Sequence, residues 1–140
     1  MKLEAILRSH SYMRVERPPL LWEADTQDEA FIRLLGEMIA FVLQRSSSVY
    51  GLTLSAANVV VEPDASSHQI SAGEYVAVTV SGPGRDTPEF RWWPTASRTF
   101  EEFGDLTRAA SAAGGVWLYT RNLGDKGSIT TLLRRTVDAA

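Results

Sequence analysis

The densest grouping of chemically versatile side chains in this sequence is Arg91-Trp92-Trp93, with Arg85 and Arg98 a few residues away. Indole rings bury large areas at low entropic cost, and guanidinium groups make planar, bidentate contacts; together they are the usual make-up of a binding hot spot. Neighbouring residues on a strand point to opposite faces. One tryptophan of the pair is therefore expected in the core and the other outside it. Trp117 and Tyr119 are two apart on a later expected strand and share a face. The expected partner surface is thus Arg91, Trp93, Trp117 and Tyr119. Two other accounts compete. Aromatic residues also stack unpaired bases, which makes single-stranded nucleic acid an alternative ligand. They are also good strand formers that simply fill cores.

Gly124-Asp125-Lys126-Gly127-Ser128 is the second candidate, read as a turn at the start of a helix. Free backbone donors at a helix N-terminus hold anions, which makes Lys126 and Ser128 a weak anion-binding pair. The lysine precedes its glycine, so the phosphate-loop pattern is not matched, and a serine N-cap explains the same residues. Ser81-Gly82-Pro83-Gly84-Arg85-Asp86 follows a strand, but no helix opens directly behind it. A turn accounts for it better than an anion loop.

Acid–base and metal chemistry have little to stand on. Glu101, Glu102 and Asp105 read as a solvated helix face. The two histidines, His10 and His68, are far apart, and the chain has no cysteine. Thiolate metal sites, cysteine nucleophiles and disulfides are thereby excluded. The Gly-x-Ser-x-Gly elbow is absent, and nothing marks an oxyanion hole beside His10 and its flanking serines. No metal and no cofactor are expected, and the balance leans against an enzyme.

The elements that must position these residues follow from periodicity. The chain has 140 residues and a net charge of −3. Such a length suits one domain, here 1–140, and the acidic balance makes a general nucleic-acid binder improbable. The longest apolar run, Ala40-Phe41-Val42-Leu43, is too short to span a bilayer, and Met1–Arg8 does not read as a signal peptide. The cytoplasm is the expected compartment. Thr26-Gln27-Asp28-Glu29 fits a capping box opening a helix over 26–45, whose stripe runs Phe31, Leu34, Leu35, Met38, Ile39 and Val42. Ile32, Gly36, Ala40 and Leu43 form a second line, a candidate self-association surface. A strand is expected over Leu52–Glu62, interrupted by a bulge or bend at Ala56-Ala57-Asn58. A second strand has Val76, Val78 and Val80 on one face and Tyr75, Ala77 and Thr79 on the other. A third is Glu89–Trp93, completing a meander. Thr99-Phe100-Glu101-Glu102 caps a second helix that Gly114-Gly115 ends. Val116–Arg121 is a fourth strand, and Ile129, Leu132, Leu133 and Val137 suggest a final helix. Leu3–Val15 is read as a strand. The expected fold is therefore α+β: a mostly antiparallel sheet of four to five strands with two or three helices on one face, in the order β-α-β-β-β-α-β-α. The function this best fits is a non-catalytic accessory domain of adaptor, regulatory or immunity type that binds another protein. A small-molecule domain with its pocket between sheet and helices is the alternative from a different class.

Overall fold

The computed structural model describes residues 13–45, 51–63, 71–83, 91–94, 104–122 and 126–136. Eight elements follow in chain order: β1 (Arg14–Glu16), α1 (Asp28–Arg45), β2 (Thr53–Val61), β3 (Gly73–Pro83), β4 (Arg91–Pro94), α2 (Gly104–Ala112), β5 (Gly115–Asn122) and β6 (Lys126–Arg134). The strands form one six-stranded sheet in the order β1-β2-β3-β6-β5-β4. Only β1 and β2 run parallel, joined by the crossover through α1; every other pair is antiparallel.

Helix α1 forms where the 3.6-residue period demands it. Phe31, Leu34, Leu35, Met38, Ile39 and Val42 are all buried, with Phe41 beside them. Asp28 and Glu29 lie at the positive end of its dipole and Arg45 at the negative end. Arg45 donates to the Phe41 carbonyl and stacks on that ring at 3.9 Å. The helix nevertheless starts without the capping box. Its first bond runs from Phe31 N to Gln27 O, and the Thr26 hydroxyl is buried without a partner. Helix α2 ends at the expected glycines: Gly114 takes a φ of +78°, a left-handed conformation that suits residues without a Cβ. The expected cap at Thr99–Glu102 lies outside the described residues, as do residues 1–12 with His10, and His68.

Both helices pack on one face of the sheet. Phe31, Leu34, Leu35 and Met38 of α1 and Leu106, Ala109 and Ala110 of α2 share one core with Leu54, Val76, Val78, Val80, Leu118, Ile129 and Leu133. Each fully buried large side chain in that layer contributes roughly 1.5–3 kcal/mol. The opposite face carries a smaller cluster of Tyr75, Ala77, Trp117 and Leu132, with Val59 and Val61 packed against it.

Three expectations are corrected here. The final helix is a strand: β6 lies between β3 and β5, and Ile129 through Leu133 are all buried. A central strand enclosed on both faces loses its alternation, so its apolar spacing imitates a helix. The three-strand meander does not exist, because β6 takes the place beside β3 and β4 pairs with β5 instead. The expected bulge in β2 is absent; its register with β3 runs unbroken from Thr53 opposite Ser81 to Val61 opposite Gly73. The irregularity falls in β5, between Gly115 and Trp117, where Gly115 approaches α2 so closely that an added Cβ would stand 3.0 Å from the Ala110 carbonyl oxygen.

Candidate functional site

The ladder registers place the residues singled out by type. Arg91 stands opposite Thr120, Trp92 opposite Tyr119 and Trp93 opposite Leu118. Opposed residues in an antiparallel ladder belong to one face. Trp117 lies in the cluster away from the helices, and Tyr119, two residues on along β5 and opposite Thr130, shares that face. Trp117 is only 3% exposed, and Tyr119 is half-buried. Lys126 and Ser128 stand at ladder positions opposite Pro83 and Ser81. No helix begins there, so no helix dipole supports an anion site at Lys126 and Ser128.

Tyr75, Ala77 and Thr79 face away from the helices, and the space between sheet and helices is filled by the main core. The pocket suggested there for a small molecule is thus not formed by those residues. Their face instead carries cross-strand rows. Ser55, Thr79, Thr130 and Tyr119 lie in one row, closed by a 2.7 Å hydrogen bond between the Thr79 and Thr130 hydroxyls.

A different feature stands out at the edge of the sheet. β1 covers only Thr53–Ser55 of the nine-residue β2. Pro18 and Pro19, which have no backbone donor, then turn the chain away from the ladder. The departing chain is fastened by one side chain. Asn58 Oδ1 accepts the Trp22 amide at 2.9 Å, and Asn58 Nδ2 donates to the Leu20 carbonyl at 2.7 Å. Two further main-chain bonds continue the strap, Asp25 N to Arg134 O and Thr136 N to Glu23 O; beside them Arg135 N donates to Glu74 O of β3. Arg135 stacks over the Trp22 ring at 4.3 Å and pairs with Glu74.

Between the end of β1 and β2 lies an open groove of about 590 Å³, walled by Glu16–Pro18 on one side and Ser55–Asn58 on the other. Arg14 N donates to Leu52 O, which fixes the even-numbered residues of β2 as those whose backbone groups turn outward. Past β1, this leaves the main-chain groups of Asn58 and Val60 on an edge that no described strand covers. Leu20, 83% exposed, and Val60, 56% exposed, flank that edge. They are two of the three large apolar side chains exposed among the described residues, the third being Ile32 on α1. Sequence reasoning missed Asn58, although one signal was present. It occupies the inward position of the Leu52-Leu54-Ala56 alternation, where an apolar residue is expected.

Among the described residues no group of three histidines, cysteines or acids is arranged to hold a metal ion, and no helix is long and apolar enough to cross a membrane. No protein-family model matches the chain, and no curated protein does. Among solved structures the chain is similar to the histidine kinase AdeS of Acinetobacter baumannii, at 13% identity and a TM-score of 0.47. The match covers 96% of this chain and 61% of that one, so this chain spans about three fifths of that protein's length. Likeness of that degree carries no function across.

Proposed function

We propose that this chain is a non-catalytic protein-interaction domain of accessory type and that it engages its partner along the outer edge of β2. The observation that carries this reading is the coincidence, at one place, of outward main-chain groups at Asn58 and Val60, the groove beside them and the exposed apolar side chains of Leu20 and Val60. An unpaired strand edge is a template for another strand, and proteins that do not use one usually blunt it with charge, proline or a bulge. The prolines here lie on the departing chain, while β2 itself runs unbulged with valine at its exposed end. Extended segments bind such edges through main-chain hydrogen bonds, with alternate side chains giving specificity. The aromatic set contributes less in this reading, because Trp117 is buried.

The test is hydrogen exchange on the tagged chain before and after capture of a partner from native extract. New protection confined to residues 56–62, lost together with the partner in Val60→Lys and Leu20→Glu, is the expected result. Partners retained equally by both variants, with protection elsewhere, would refute the edge as the binding surface. Partner loss in Arg91→Ala or Tyr119→Ala alone would return the function to the aromatic strands.

A further inference from the structure

The geometry points to an anion site on the sheet face turned away from the helices, formed by Arg121, Lys126, Ser128 and Ser81 and suited to the phosphoryl group of a phosphorylated small molecule. It goes beyond the β2-edge reading and stands or falls without it.

Strand register assembles the four residues around Ser128. Arg121 of β5 stands opposite Ser128 on one side, and Ser81 of β3 stands opposite it on the other. Opposed residues share a face, with Cβ atoms about 5 Å apart. Lys126 lies two residues before Ser128 on β6 and returns to the same face about 7 Å along the strand. That places it diagonal to Arg121, a separation long side chains bridge. The spacing that would splay Lys126 and Ser128 on a helix aligns them on a strand. Trp117 and Leu132, further along the same two strands in the same alternation, fix the face as the one away from the helices. Arg121 and Lys126 are exposed, while Ser81 and Ser128 are half-buried between them.

Charge on this face runs against that of the chain, whose net charge is −3. By strand alternation the face carries Arg14, Arg121, Lys126 and Arg134, and Glu16 is the one carboxylate among its described strand residues. Glu16 is taken by Arg14 at 3.0 Å. Arg121 and Lys126 form no ion pair among the described residues, so both charges and their donors are uncommitted.

The donor set selects the anion. A carboxylate has two oxygens, which a single arginine fork satisfies. A phosphoryl group has three oxygens and close to two charges, enough to engage the Arg121 fork, the Lys126 ammonium and a serine hydroxyl together. A nucleic-acid backbone would instead need a track of cations. The row that continues from Ser81 offers Thr53 and then Arg14, which Glu16 already holds.

The experiment is a titration of the isotope-labelled intact chain with inorganic phosphate at constant ionic strength, followed by amide chemical shifts. Acetate and a single-stranded thymidine oligonucleotide form parallel arms. The expected result is saturable, one-to-one shifts at Ser81, Arg121, Lys126 and Ser128 with phosphate, and binding of acetate at least about tenfold weaker. Arg121→Gln and Lys126→Gln should each weaken phosphate binding about tenfold, and Ser128→Ala about threefold. Arg134→Gln, on the same face at the far end of β6, should leave it unchanged. Circular dichroism should show every variant folded. Absence of a saturable phosphate shift overturns the inference. An equal loss in Arg134→Gln overturns it too, since diffuse charge would then account for the binding. Tighter binding of the oligonucleotide, falling steeply with salt, overturns it in favour of a polyanion track.

Discussion

Asn58→Ala tests the clasp that holds the chain between β1 and α1. The substitution removes two hydrogen bonds at once, one from the Trp22 amide and one to the Leu20 carbonyl. Each such bond contributes about 1 kcal/mol net, and a donor left buried without a partner costs about 1–3 kcal/mol. The Trp22 bond is partly buried, so its amide loses access to a replacement partner; the Leu20 bond is exposed, so water replaces it cheaply. The sum is about 2 kcal/mol, which for a chain of this length lowers the melting temperature by about 5–8 °C. Urea denaturation followed by circular dichroism gives the free energy. Amide exchange gives the location: the Trp22 amide should exchange much faster, while Asp25, whose amide is held by Arg134 O at 2.7 Å, should slow the spread of opening toward α1. A loss below about 0.5 kcal/mol, the size expected of an ordinary surface change, would refute the reasoning, as would unchanged Trp22 exchange.

Two further substitutions probe the sheet. Thr120 is fully buried on β5 with a hydroxyl that has no partner, so Thr120→Val should stabilise the fold by about 1 kcal/mol in urea denaturation; destabilisation of that size would mean the hydroxyl is satisfied. An alanine Cβ at Gly115 would lie 2.9 Å from Thr131 Oγ1 and 3.0 Å from the Ala110 carbonyl oxygen, so Gly115→Ala should cost about 2 kcal/mol and loosen α2 on β5. A thermal melt within 1 °C of the parent chain would contradict the close approach.

Elements whose burial is one-sided were the ones readable from sequence. α1 buries one stripe and shows a 3.6-residue period; β3 holds valines on one face and mixed residues on the other. β6 was misread for the converse reason. Its run Ile129-Thr130-Thr131-Leu132-Leu133 is buried throughout, and the two threonines look like the polar side of a helix. In the fold those threonines are satisfied across strands: Thr130 bonds Thr79, and Thr131 donates to the Trp117 carbonyl. Strand pairing was misassigned because β4 follows β3 in the chain but takes its place at the far edge, a long-range choice that local signals do not encode. The candidate site was the least legible part. It is made by where β1 stops and by one asparagine that reaches back to residues 36 and 38 positions earlier. Of the aromatic set that drew attention first, Trp117 is buried instead.

The position of β6 also governs the order in which this sheet can be completed. β1, β2 and β3 form one group and β4 and β5 another, and among the described strands the two groups touch in the sheet only through β6, which follows all of them in the sequence. As the chain emerges during synthesis, β3 and β5 each wait with an open edge facing the vacant central position. The core under α1 and α2 closes when Lys126–Arg134 slides in and pairs with both at once. Closure is therefore a late event joining segments some 50 residues apart, and contacts of that range are slow to form. Until then the nascent protein exposes two strand edges that the folded sheet hides, which makes the interval just before β6 arrives one of heightened aggregation risk.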